Sequence, residues 1–273
     1  MKIGVGYSAF NGIELLEHSI KQIRNQVDFI TVFFQKYDWY GKTVIKDEDY
    51  QAIIQLKMIG LIDNFDIFEI PKFATNFLEA KKLEKEKRNK IKSKCAFYNC
   101  THHLQMDVDE FYKNEDFEIA KYVINRENYK YTYCKIQDYY KLPIYRRKNI
   151  SNSYVPFICE INNKELGINN IPNITIDPTR GYVINPEDKF YIFGEDDLLM
   201  HHMTGVRKDL MNKYLCTSQA CLDRNNLNKL VNNISVINDK LIFKNEGFFR
   251  KNIIEDVEFE EVKNYFNIPL ELF

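Results

Sequence analysis

Apolar positions along the first hundred residues switch between helical and strand spacing, and the switching predicts a strand–helix repeat. Residues 2–7 read as a short strand. Over 11–25, Ile13, Leu16, Ile20 and Ile23 fall on one helical stripe, with Asn11 expected to cap it and Glu14 three residues on. Residues 29–34, Phe-Ile-Thr-Val-Phe-Phe, form the continuous apolar run of a parallel strand buried on both faces. A helix follows over about 49–62, carried by Ile53, Ile54, Leu56 and Ile59, then a strand at 65–70 closed by Pro71. A long helix runs from Thr75 to about Cys95 and leads into a strand that carries Asp107 and Asp109. The order βαβαβαβ predicts a parallel sheet with helices on both faces and a ligand site at the carboxyl ends of its strands.

Beyond a helix at 114–125 the pattern changes. Strands are expected at 131–136, 139–145 and 154–161, then a turn-rich stretch at 162–180 that ends in a tight turn at 177–181. Short strands at 191–193 and 198–202 and a helix from Val206 past Tyr214 follow. After Asp223 the expectation is a helix, a small strand at 241–243 and a last helix at 260–266. The expected fold class is α/β, with a mostly parallel central sheet flanked by helices and a smaller mixed or antiparallel part. Residues 216–273 would form a helical extension packed on the same domain.

Composition narrows the function classes. The 38 basic and 39 acidic residues give a net charge of −1, which offers no global basic field for nucleic acid. No apolar stretch is long enough for a membrane span, and the first residues are too short a run for a signal peptide. A cytoplasmic protein is expected, with room for peripheral association at the inner face of a membrane. The six cysteines lack Cys-x-x-Cys spacing and read as reduced, mostly buried thiols. The tyrosines between Tyr129 and Tyr145 read mainly as strand core, and Arg146-Arg147-Lys148 as a solvated loop.

Chemistry concentrates in Gln105-Met106-Asp107-Val108-Asp109-Glu110. Strand alternation puts Asp107 and Asp109 on one face, and two converging carboxylates need positive charge between them, for which a divalent cation is a common answer. Asp47-Glu48-Asp49 repeats the bare pattern, but its flanks read as a solvated helix start. His201 and His202 end an apolar strand and could add an imidazole to the cation, a mixed ligand set that suits Mn²⁺ somewhat better than Mg²⁺.

The order of these features resembles glycosyltransferases of the GT-A fold, in the neighbourhood of the family 2 enzymes and their bacterial relatives. The resemblance rests on the first strand running into Asn11-Gly12-Ile13-Glu14-Leu15-Leu16-Glu17-His18-Ser19-Ile20, on the Lys87-Arg88-Asn89 helix, on Gln105 to Phe111, and on His201-His202-Met203-Thr204-Gly205-Val206-Arg207. It covers about 1–215, with 1–112 as the nucleotide-sugar half and 113–215 as the acceptor half carrying the metal histidine. It implies Mn²⁺ or Mg²⁺ held by Asp107, Asp109 and His202, with His201 as the other candidate. It also implies a nucleotide-sugar donor, UDP-linked by default, lying against Ser8, Phe10, Asn11, Lys87, Arg88, Asp107 and Arg207. Glu195-Asp196-Asp197 resembles the acidic motif that supplies a catalytic base, which makes Asp196 the first candidate and Asp177 the second. Family 2 enzymes often carry acidic residues after the second strand, whereas here the segment is Phe33-Phe34-Gln35-Lys36-Tyr37-Asp38, and Asp38 is displaced. The acceptor implied is a glycan or lipid-linked glycan, in the making of a bacterial surface polysaccharide or lipooligosaccharide. The rival readings are a metal-dependent nucleotidyltransferase or phosphohydrolase, and a sugar-binding domain without catalysis.

Overall fold

The computed structural model describes residues 1–167, 171–216, 234–237, 240–244 and 256–273. The chain opens with β1 (Ile3–Ala9), α1 (Ile13–Ile23), β2 (Phe29–Phe34), α2 (Asp47–Met58), β3 (Asn64–Ile67), α3 (Phe77–Phe97) and β4 (His102–Asp107). These strands pair in parallel in the order β3-β2-β1-β4. All six residues of β2 are buried, as its unbroken apolar run requires of a strand covered on both faces. Asn76 caps α3 by accepting from the Glu79 amide at 3.0 Å, while Glu79 accepts from the Thr75 amide at 2.8 Å, so reciprocal bonds fix the start of this helix. α1 begins differently from the expectation. Its N-cap is Gly12 at φ 73°, with no side-chain cap, and Asn11 instead faces a cleft.

A two-residue turn then leads into β5 (Glu110–Phe111), α4 (Asn114–Glu127), β6 (Tyr131–Tyr140), β7 (Leu142–Arg147), β8 (Ser153–Pro156), β9 (Cys159–Glu160), β10 (Thr175–Ile176), β11 (Phe190–Ile192) and β12 (Leu199–Gly205). β9 closes the parallel sheet as an antiparallel edge beside β4. The other strands build a mixed second sheet around β6, which runs on past the break expected at 137–138 and turns into β7 at Lys141, which adopts φ 64°. Tyr131, Tyr133, Tyr139 and Tyr140 of β6 are buried. β12 runs parallel to β6 and antiparallel to β5, placing His202 opposite both Asp138 and Glu110. This pairing brings a residue from late in the chain to the end of β4.

The last elements are α5 (Leu210–Cys216), β13 (Ile234–Ile237), β14 (Lys240–Lys244) and β15 (Asp256–Glu261). The helix expected at 260–266 is absent, and the stretch starts as β15, antiparallel to β7. The reason is electrostatic. Glu260 meets Arg146 at 2.7 Å and Glu258 meets Lys148 at 2.7 Å, so the basic run expected to be solvated is the partner of an acidic strand. Phe266 and Ile268 then pack with Leu15, Phe111, Tyr139, Met203 and Val206. The helix expected after Asp223 and the thiol of Cys221 lie outside the described residues; the other five cysteines are free and buried. Among the described residues no helix is long and apolar enough to cross a membrane.

Candidate active site

Ser8 near the end of β1 lies in register with Asp107 at the end of β4, and beyond these two neighbouring parallel strands a cleft of about 350 Å³ opens. Its walls come from the β1–α1 turn, one face of α3, the β4–β5 turn, β12 and α5. Ser8, Phe10, Asn11, Lys87, Arg88, Asp107, Asp109, Asp177, His202 and Arg207 all line it. The fold therefore gathers ten of the twelve residues singled out from sequence. Asp109 is not on the strand, as alternation implied, but in the turn after it, which carries its side chain to the opposite flank of the cleft from Asp107's partners.

On the α3 side, Arg88 Nη2 donates to both oxygens of Asp107 at 3.0 Å, and Arg180 Nη2 also donates to Asp107 Oδ2. Arg180 reaches Glu110 Oε1 at 2.6 Å, Glu110 Oε2 accepts from the Asp107 amide at 3.0 Å, and Arg88 meets Glu84 at 3.2 Å. Lys81 adds contacts to Glu84 at 3.2 Å and to Asp177 at 3.4 Å. Burial opposes ionisation of Asp107, but Arg180 and Arg88 hold its carboxyl below the usual range. Asp177 is partly exposed, and although desolvation works against its charge, Lys81, Arg88 and Arg180 hold it far down, which leaves it a weak proton acceptor. Lys87 is 1% exposed and donates to the Ala9 carbonyl at 2.9 Å and to Gln35 Oε1 at 3.1 Å. Burial drives its ammonium down to about 7, against the pull of Asp107.

On the β12 side, Asp109 Oδ2 accepts from Arg207 Nη2 at 2.5 Å and from Lys213 Nζ at 2.7 Å, with His202 Nε2 at 3.5 Å. Burial works against the Asp109 charge, and Arg207, Lys213 and His202 outweigh it, holding the carboxyl well below its ordinary value. His202 Nδ1 lies 3.1 Å from Asp138 Oδ1. Burial lowers its basicity, but Asp109 and Asp138 raise it to about 9, so the ring is an imidazolium at neutral pH.

The residues present do not fit a divalent ion as the resemblance implies. Both oxygens of Asp107 are taken by arginines and Asp109 Oδ2 carries two cationic donors, so an ion between the carboxylates would have to compete with four cations. Among the described residues no group of three or more His, Cys, Asp or Glu is placed to hold a metal. His201, the alternative ligand, faces the other side of β12. It is 1% exposed, with Nδ1 3.0 Å from the Tyr139 hydroxyl and its ring against Phe266, and burial holds it neutral with a pKa of about 3. Strand alternation separates the two histidines.

Asp196 also falls outside the cleft. It is exposed in a turn in which the Asp197 and Leu198 amides both donate to the Gly194 carbonyl at 3.1 Å. Sequence reasoning missed Lys81, Glu84, Asp138, Arg180 and Lys213. Lys81, Glu84 and Arg88 recur at spacings of three and four on one face of α3, a signal that was readable. Nothing local marks Lys213 or Arg180, whose partners lie 104 and 73 residues away.

The connectivity is GT-A-like: a βα repeat ending in an Asp-x-Asp turn, followed by a mixed sheet that returns a histidine strand to that turn. No family model matches the chain, and no curated protein does. Among solved structures, S. aureus TarS (residues 1–349) aligns with 78% of this chain and 63% of that chain at 12% identity, with a TM-score of 0.44. The same TarS fragment in complex with UDP-GlcNAc aligns with 50% of this chain and 35% of that one at 16% identity, with a TM-score of 0.36. CMP:2-keto-3-deoxy-manno-octonic acid synthetase complexed with CTP aligns with 50% of this chain and 53% of that chain at 8% identity, with a TM-score of 0.32. The alignments therefore span less than two thirds of those chains.

Proposed function

We propose that the cleft binds a nucleotide sugar and transfers its sugar to a hydroxyl of a glycan or lipid-linked glycan, with UDP as the default nucleotide. The observation that carries the reading is the meeting of Lys87, Arg88, Arg207 and Lys213 with two ionised carboxylates at the carboxyl ends of β1 and β4. A cleft at that edge of a parallel sheet is where such folds take ligands, and its cations suit a diphosphate. In the transfer, the bond from the anomeric carbon to the diphosphate oxygen breaks and its electron pair stays on the diphosphate. The acceptor oxygen bonds to that carbon and its proton passes to solvent. Donors already aimed at the departing oxygens stabilise the charge as it grows. Asp177 acts here as an anchor for Lys81. A role in assembling a bacterial surface glycan follows only from the acceptor class and belongs to the same proposal.

A thermal-shift panel of UDP, GDP, CMP and dTDP sugars tests this, followed by chromatography for release of the free nucleotide. One nucleotide class should raise the melting temperature and be consumed when an acceptor is supplied. If no nucleotide sugar stabilises the protein, the reading is lost.

A further inference from the structure

We propose that Arg207 and Lys213, rather than a divalent cation, supply the counter-charge to a diphosphate bound in the cleft, so that this site works without metal. The inference rests on the nucleotide-sugar reading of the cleft and departs from what the family resemblance implies.

One oxygen of Asp109 is already committed. Asp109 Oδ2 holds Arg207 Nη2 at 2.5 Å and Lys213 Nζ at 2.7 Å. An ion at that oxygen would have to compete with both cations on a carboxylate that is only 3% exposed. The same contacts aim the two cations. Arg207 has a side chain 4% exposed, and its Nε and Nη1 have no hydrogen-bond partner among the described residues. Arg207 lines the cleft, and the planar fork of a guanidinium matches phosphate oxygens. Lys213 Nζ bonds Asp109 and Thr204 Oγ1 at 2.9 Å, and an ammonium carries a third proton to donate. Asp109 thus positions two cations on the cleft wall, and Lys213 keeps a donor for a ligand.

The backbone makes room for this arrangement. Arg207 crosses Gly12, where an added Cβ would lie 1.3 Å from Nη1, so the left-handed turn that starts α1 is shaped around the guanidinium. A resident anion site fixed by a glycine, an aspartate and two cations needs no ion to assemble it.

Inorganic pyrophosphate is the probe, titrated calorimetrically into the protein in EDTA and again with Mn²⁺. Binding should appear in EDTA and should not tighten with Mn²⁺ once the Mn²⁺–pyrophosphate equilibrium is subtracted. Lys213→Ala should weaken it roughly tenfold or more, the loss of one charge-assisted hydrogen bond, and Lys213→Arg should restore it. Pyrophosphate binding that requires Mn²⁺ overturns the inference on the wild-type protein alone, whether or not the variant folds. Binding indifferent to Lys213→Ala in a folded variant also overturns it. Sugar transfer that runs only with Mn²⁺ removes the inference and leaves the function standing. Pyrophosphate bound in EDTA by a protein that binds no nucleotide sugar supports the anion site and removes the function.

Discussion

Asp107 and Asp109 stand two residues apart on opposite flanks of one cleft. Asp107 belongs to a closed ladder, in which Arg88 and Arg180 take its oxygens and pass on to Glu84 and Glu110. Asp109 belongs to a second arrangement, in which Arg207 and Lys213 both meet its Oδ2 and line the cleft. In the first group the charges pair across three elements and hold α3 and the 177–180 turn to the end of β4. In the second they gather two cations on one carboxylate at the cleft wall. The same residue type in the same tripeptide is a structural tie on one side and a positioning group on the other, and the difference lies in whether the cations bridge to a second acid, as Arg88 and Arg180 do to Glu84 and Glu110, or pair with Asp109 alone among the described residues, as Arg207 and Lys213 do.

The contrast breaks most easily at Arg180. Arg180→Ala leaves the buried Glu110 and the partly exposed Asp107 with one shared cation gone, and removing one partner of a buried charged group costs about 3–5 kcal/mol. Chemical denaturation should show that loss, whereas Lys213→Ala should cost far less stability. Equal losses would erase the distinction between the two flanks.

Gly12→Ala acts on the other flank. Its φ of 73° is strained for alanine, and the new Cβ must displace Arg207. A stability cost of about 1–3 kcal/mol is expected, with a larger proportional loss of pyrophosphate affinity. A variant that loses stability but keeps its affinity would show that Arg207 does not need its place over Gly12.

Lys87 sharpens the comparison through pH. Its folded pKa, about 7, lies below the ordinary value of 10.5. Between those values the unfolded chain keeps a proton that the folded chain has lost, so unfolding takes up protons and stability rises with pH across that window. The slope from this one group is at most about 1.4 kcal/mol per pH unit. Lys87→Met should flatten the difference in denaturation midpoint between pH 7 and pH 9. Wild type and variant with parallel pH curves would mean that Lys87 stays charged at the base of the cleft.

How far the chain could be read in advance follows the same physics. β2 was legible because a strand covered on both faces must be an unbroken apolar run, and α3 because Thr75, Asn76 and Glu79 carry a reciprocal cap. Asp107 and Asp109 were legible because carboxylates beside an apolar strand demand an explanation. β15 was not. Val257 and Phe259 alternate with acids as a strand does, but the helix-favouring glutamates outweigh so short a signal until the basic β7 is known to lie alongside. Arg180 was invisible for a related reason, since the turn at 177–181 can be read locally while the direction of its side chain is set by partners far along the chain.

The smallest expected effect is at Asp196, and it tests where the cleft ends. By resemblance this residue was the first candidate for a catalytic base. It is exposed in the turn from Gly194 to Leu198, beside Glu195, which pairs with Lys135 of β6 at 2.5 Å. An exposed carboxylate with no structural tie contributes within about 0.5 kcal/mol. Asp196→Asn should therefore leave the melting temperature, pyrophosphate affinity and rate of sugar transfer unchanged. A fall in transfer rate with an unchanged melting temperature and affinity would place the acceptor's proton at this turn. The reacting centre would then extend from the Asp109 flank across the face of the second sheet, and the division between the two flanks would describe donor binding alone.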